Sequence, residues 1–267
     1  MEFIIYLITG ACSGFIAGLF GIGGGLILVP ILALIFSHLN YDPNIIMHMA
    51  IGTSLSAMII TSIGSVMAHK KNGNILWPVF RHLAMGMIIG ALIGASITNH
   101  IPGHYLKLII GCFSLWIAYS MFRDLKNKSA PSSALPSVPM QSLTGGAIGI
   151  ASAIFGIGGG SFTVPYLSHH SVPIKKSVGT SAACGLVIAI VATTGFMWFG
   201  TEKMVHVPQA IGYINIQAFL GIGIMSFITA KYGAKAANNF PAKKLKASFA
   251  VLMIVIAVYF FYQFFKV

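Results

Sequence analysis

Charged residues in this chain come in short clusters, and the stretches between the clusters are long and apolar. Apolar segments fall at about 3–20, 26–37, 46–68, 80–99, 104–122, 141–156, 161–169, 176–199, 208–230 and 245–265. Six of them are long enough to cross a hydrocarbon core of about 30 Å as helices. A backbone inside that core finds no water to bond, so a spanning segment must be a helix or a strand of a closed barrel. The alternating pattern of a barrel is absent, which leaves helices. Composition excludes a water-soluble globule: 57% of residues are hydrophobic and 7% charged, where soluble domains are about one quarter charged. Sixteen Lys and Arg face four acids, Glu2, Asp42, Asp124 and Glu202. In a soluble chain that balance would suggest nucleic acid; here the clusters flank apolar runs, as membrane topology requires, and no nucleic-acid partner is expected. The opening Met-Glu-Phe-Ile-Ile-Tyr has neither a basic leader nor a small-residue cleavage site, so the first segment is expected to be retained in the membrane.

The chain repeats itself. Residues 14–32, GFIAGLFGIGGGLILVPIL, and 149–167, GIASAIFGIGGGSFTVPYL, are identical at ten of nineteen positions. IGTS at 51–54 is echoed by VGTS at 178–181. Gly94, Asn99, Pro102, Leu106 and Lys107 are echoed by Gly233, Asn238, Pro241, Leu245 and Lys246. Three echoes in one order predict an internal duplication, a common plan among membrane carriers. The polar, proline-bearing stretch 123–140 divides the halves. The predicted organisation is a first transmembrane repeat at 1–122, a cytoplasmic linker at 123–140 and a second repeat at 141–267.

Positive charge orients the halves. If each glycine-broken pair of segments were one span, the basic residues would divide eight to eight across the membrane. If each pair is a hairpin that enters and leaves on one side, thirteen lie on one side and only Lys107, Lys203 and Lys266 on the other. The second arrangement is predicted: an all-α polytopic membrane helix bundle of two inverted repeats, each a glycine-broken re-entrant or hairpin pair plus three transmembrane helices. Residues 161–169 are too few to span at about 1.5 Å per residue, which fits a hairpin; residues 3–20 could nearly cross, so the first hairpin is expected to run deeper.

Irregular backbone within a membrane is tolerated where it is buried or lines a polar cavity. A turn at Gly23, Gly24 and Gly25, or at Gly158, Gly159 and Gly160, offers bare N–H groups at the positive end of the helix that follows. That is chemistry suited to an anion, and the alternative role is a tight turn or close helix contact. No Gly-Lys-Ser/Thr follows, so neither turn is a phosphate-binding loop, and no strand and acid flank it as in a dinucleotide site. The hydroxyls of Thr53, Ser54, Thr180 and Ser181 can donate to an anion without bringing charge into lipid, or bond back to their own helices. Ser161 adds a hydroxyl where the first half has Leu26. His48 and Lys175 occupy matching positions as candidate basic vestibules, or as interfacial residues that reach for headgroups.

Gly86, Gly90 and Gly94 form a small-residue stripe suited to helix packing. Asn215 and Gln217 read as mid-span polar groups that need a cavity or a partner. Cys12, Cys112 and Cys184 stand alone in apolar runs and are read as buried small hydrophobes. Neither they nor the histidines make a metal motif, and no cofactor or catalytic residue is assigned.

The pairing of FGIGGGLILVP with a later GTS, repeated as FGIGGGSFTVP with GTS, resembles the sulfite exporter TauE/SafE family of membrane permeases, and the resemblance spans essentially the whole chain. It implies transport of sulfite, a sulfonate or a related organic acid across the bacterial inner membrane. The expectation is therefore a non-enzymatic secondary transporter of a small anion, working by alternating access in the lipid bilayer. An anion channel that uses the same glycines is the alternative. Substrate, direction, coupling ion and oligomeric state are not fixed by the sequence.

Overall fold

The computed structural model describes residues 2–20, 25–126, 134–201, 207, 209–237 and 241–266. Among these, ten α-helices and one short hairpin account for the fold. The helices are α1 (Glu2–Phe20), α2 (Gly25–His38), α3 (Pro43–Lys71), α4 (Trp77–His100), α5 (Gly103–Lys126), α6 (Val138–Phe155), α7 (Gly160–His169), α8 (Ile174–Gly200), α9 (Ile216–Ala237) and α10 (Ala242–Phe265). Strands β1 (Ala210–Ile211) and β2 (Ile214–Asn215) pair antiparallel between α8 and α9. Seven of the helices are long and apolar enough to cross a membrane. The molecule is an all-α polytopic membrane bundle.

Local chemistry sets the helix ends. Asp42 caps α3, its carboxylate accepting the N–H of Asn44 at 2.9 Å, with Pro43 at the first turn. Pro30 and Pro165 lie inside the short helices α2 and α7, where each removes one main-chain bond. Helices α5 and α6 extend into the 123–140 stretch from both ends, so the linker is shorter than its composition suggested; Pro139 starts α6 at a position where a missing N–H costs nothing. Residues 127–133 lie outside the described residues.

Helix α3 is the most buried span and sits against α8 at the centre. The two run antiparallel: Gly52 lies by Phe196, whereas Gly179, early in α8, lies by Asn74, just beyond α3. Helices α5 and α10 also pack antiparallel, with His104 stacked on Phe264. Helix α1 packs along α9 and α6 along α4, both in parallel. Gly10 and Gly14 seat against Ile222 and Ser226, and Gly145 and Gly149 against Leu83 and Met87. The stripe of Gly86, Gly90 and Gly94 lies directly on the α6 backbone at Ser142, Gly146 and Ile150, where a β-carbon would not fit. These contacts place the ends of α3, α5 and α9 with the starts of α4, α8 and α10, so Lys70, Lys71, Arg81, Arg123, Lys175, Lys176 and Lys235 share one end of the bundle, the basic end.

Two local expectations are corrected. The apolar stretch from 208 begins as the β1–β2 hairpin, because Gln209 and Gly212 adopt positive φ (60° and 52°) and turn the chain before α9 starts. Asn215 therefore caps α9 instead of lying mid-span; its Oδ1 accepts the N–H of Ala218 at 2.9 Å. Of the cysteines only Cys184 is buried, and Cys12 and Cys112 are exposed. In a bundle whose outer faces are apolar, a thiol is as compatible with the surface as with the core.

Candidate functional site

The site is built around the break between α6 and α7. Helix α6 ends at Gly156, whose φ of 69° is left-handed, and the N–H groups of Gly156 and Ile157 both donate to the carbonyl of Ser152. Gly159 is again left-handed (φ 70°), and its carbonyl accepts from Phe162 (3.1 Å) and Thr163 (2.8 Å), which winds α7. Two left-handed residues within four explain why glycine is needed here. The turn is wedged between α3 and α8. Ser54 Oγ donates to the Gly156 carbonyl at 3.1 Å, and Gly185 of α8 lies against Gly158.

A cavity of about 570 Å³ meets this turn. Gly158, Gly160, Gly185 and Ser181 form its inner end, and Met58 and Leu28 lie beside them. From there it follows α1, α3 and α9 past Thr61 and Ser65 to His69, Lys231 and Ala234, close to the basic end. Among the described residues no Asp or Glu lines it. Immediately behind the turn, the hydroxyls of Ser152, Ser161 and Thr163 are buried and have no hydrogen-bond partner. Ser152 and Thr163 both lie near the α-carbon of Gly159, with oxygens about 3.5 and 3.6 Å from where a β-carbon would stand. The turn thus gathers unpaired donors at a positive helix end, in surroundings of low dielectric where such donors attract charge strongly.

On the far side of the turn the path is closed. Tyr213, at the tip of the hairpin, is fully buried. Its N–H donates to the Phe196 carbonyl at 3.1 Å, and its hydroxyl donates to Asn99 Oδ1 at 2.8 Å. Phe196, Ile51 and Leu55 are also fully buried.

The residues singled out from sequence separate into distinct settings. Gly158, Gly160 and Ser181 line the cavity; Gly159 and Ser161 complete the turn beside it. Gly23 and Gly24 lie outside the described residues, and Gly25 starts α2 against Gly156 and Ile157. Thr53 and Thr180 are fully buried and each takes a main-chain hydrogen bond from another part of the bundle: Asn215 N–H to Thr53 Oγ1, and Leu76 N–H to Thr180 Oγ1, both at 3.0 Å. Ser54 holds the turn as described. His48 does not open to a vestibule: it is buried, with Nε2 3.0 Å from the Ile101 carbonyl and 3.1 Å from that of Thr98, and its ring is stacked on Tyr213. Lys175 is exposed at the basic end. Sequence reasoning missed Ser152, Thr163, His69 and Lys231. The serine and threonine are single hydroxyls in apolar runs, Lys231 reads in the sequence only as a marker of orientation, and His69 reads only as one of several histidines near span ends.

A bundle of membrane-spanning helices around a cavity that is closed at one end is the build of a membrane transporter. Residues 6–260 match the sulfite exporter TauE/SafE family, and the chain belongs to it. Among similar proteins is a probable membrane transporter protein of Haemophilus influenzae, 36% identical over 97% of both chains. Another, from Methanocaldococcus jannaschii, is 28% identical over 97% of this chain and 96% of its own. The probable membrane transporter protein YdhB of Bacillus subtilis is 28% identical over 88% and 90%. No solved structure matches the chain.

Proposed function

We propose that the protein is a secondary transporter that moves a small anion (sulfite, a sulfonate or a related organic acid) across a bacterial cytoplasmic membrane by alternating access. One observation carries the reading: the cavity ends on the glycine turn at the start of α7, and the buried hydroxyls of Ser152, Ser161 and Thr163 behind that turn stand without partners. An anion with three or four oxygens is the solute that would satisfy several donors at once. Among the described residues the lining holds the cation Lys231 and no acid, which favours the same sign of charge.

The carrier mechanism draws support from how the halves relate. Helices in matching positions, α3 with α8 and α5 with α10, pack antiparallel, as inverted repeats would. The echo extends to single bonds. The bond from Asn215 to Thr53 has its counterpart in the bond from Leu76 to Thr180, and the seat of Gly52 on Tyr213 has its counterpart in Gly179 on Asn74. In an inverted-repeat carrier, one half can adopt the other's conformation and so move the opening from one face to the other. The basic end is then cytoplasmic by the distribution of Lys and Arg, and the cavity opens inward. The buried Tyr213 and Phe196 beyond the turn favour a carrier over a channel, which would need a continuous path.

The test is anion binding by the purified protein, with sulfite, thiosulfate, sulfate, taurine, sulfoacetate and simple carboxylates as probes. Gly158→Ala is the informative variant, since its new methyl would meet only the flexible tip of Met58 and would stand at the inner end of the cavity. The expected result is saturable binding of one anion class, weakened at least tenfold by G158A in a protein that still folds. Unchanged affinity in G158A would overturn the site. In proteoliposomes, saturable counterflow is expected; an ohmic current in bilayers would replace the carrier by a channel.

A further inference from the structure

The cavity is chemically one-sided in a way that exchange of the two halves does not reproduce. The repeat register pairs each position of α1 with one 135 residues later in α6, of α3 with one 127 later in α8, and of α4 with one 139 later in α9. The contacts obey the same register: Gly14 seats on Ser226 where Gly149 seats on Met87. Across that register, Thr61, Ser65, His69, Ser226 and Lys231 of the cavity wall correspond to Ile188, Ala192, Phe196, Met87 and Leu92. All but Leu92 of these counterparts are buried hydrocarbon. The inner path is therefore hydroxylated and cationic by sequence, whereas its mirror image is apolar by sequence. A change of conformation cannot make the two routes alike.

We propose that Lys231, with His69 on the adjoining helix α3, forms a capture subsite for the anion at the basic end of the cavity, and that the opposite route has no such subsite. This rests on the anion-carrier reading. Lys231 is exposed, and its Nζ lies 5.0 Å from the centroid of the Tyr232 ring. Lys231 borders a cavity with mostly apolar walls, which focus the field of its charge along the cavity and raise the local concentration of anions. Its counterpart Leu92 can do nothing of the kind. Affinity for the anion is consequently higher from the face where α3 ends, and that advantage shrinks as salt screens the charge. A lysine that only marked topology would leave the affinity of neither face altered once the protein was inserted.

The experiment is sided transport in vesicles of known orientation, with labelled sulfite and with sulfoacetate as second probe. K231L installs the residue of the counterpart position; K231R keeps the charge, and H69F installs the counterpart of His69. For anion supplied at the Lys231 face, K231L is expected to raise KM about tenfold and to flatten its salt dependence, within the range of charge-steered association. KM at the other face is expected to stay unchanged, K231R to resemble the wild type, and H69F to shift KM in the same direction but less. If K231L leaves both faces unaltered, or shifts both equally, the capture subsite is overturned while the carrier stands. If the wild type transports neither probe saturably, the carrier reading falls and the subsite falls with it.

Discussion

Thr53 and Thr180 show how a duplicated motif is used at the scale of single side chains. Each hydroxyl accepts the N–H of the residue just before a helix, Asn215 before α9 and Leu76 before α4, and so pins the entry of that helix onto α3 or α8. Thr53→Val or Thr180→Val keeps the shape but leaves a buried or half-buried N–H unpaired, which costs about 1–3 kcal/mol. Thermal unfolding in detergent is expected to register that loss in both variants, while Thr→Ser at either position stays close to wild type. Tyr213 is a parallel case outside the spans. Burial pushes its phenol up to about 12, so it remains a donor to Asn99 at any ordinary pH. Tyr213→Phe is expected to cost about 1 kcal/mol without altering the pH dependence of stability below the ordinary phenol range of about 10. The repetition of GTS marked these threonines as significant from sequence. Their partners were not legible, because a sequence displays a hydroxyl and not the distant main-chain group it meets.

At the scale of elements, the α6–α7 break and the β1–β2 hairpin differ in how openly the sequence announces them. The break was legible because a cluster of glycines interrupts the apolar run and because the segment after it is too short to span; the structure holds Gly156 and Gly159 at left-handed φ. Gly159→Ala is expected to lower stability as well as anion binding: a side chain is strained at φ 70°, and its β-carbon would meet Ile188 at 2.6 Å. Gly158→Ala, free of the φ constraint, is expected to lower binding alone; measuring unfolding and binding on both variants separates the two effects. The hairpin was not legible. Its residues Ala210, Ile211, Tyr213 and Ile214 are as apolar as a span, and only Gly212 interrupts them, so a hydropathy pattern merges them with α9. The hairpin nonetheless carries Tyr213 into the centre of the closed side.

At the scale of the molecule, the reading of orientation rests on charge and that of architecture on the duplication. Both are properties summed over many residues, which is why they survive in sequence when single contacts do not. Ser37 at the end of α2 and Ser171 just beyond α7 are both exposed. With Cys12, Cys112 and Cys184 replaced, a cysteine at Ser37 is expected to react with an impermeant thiol reagent added outside intact cells, and one at Ser171 only after the membrane is opened. Labelling of both from the same face would contradict opposed hairpins. What no sum over the sequence revealed is that α1 lies along α9 and α6 along α4, so that each half completes the other.

That cross-pairing constrains how the protein can be made. Helix α1 leaves the ribosome well before α9, the surface it was shaped to fit. During translation α1 must wait in lipid with the glycines at 10, 14 and 18 unmatched. Final assembly is therefore a late, collective event. A chain truncated before α9 would leave that glycine-lined groove open to quality-control proteases, however well its earlier helices had inserted.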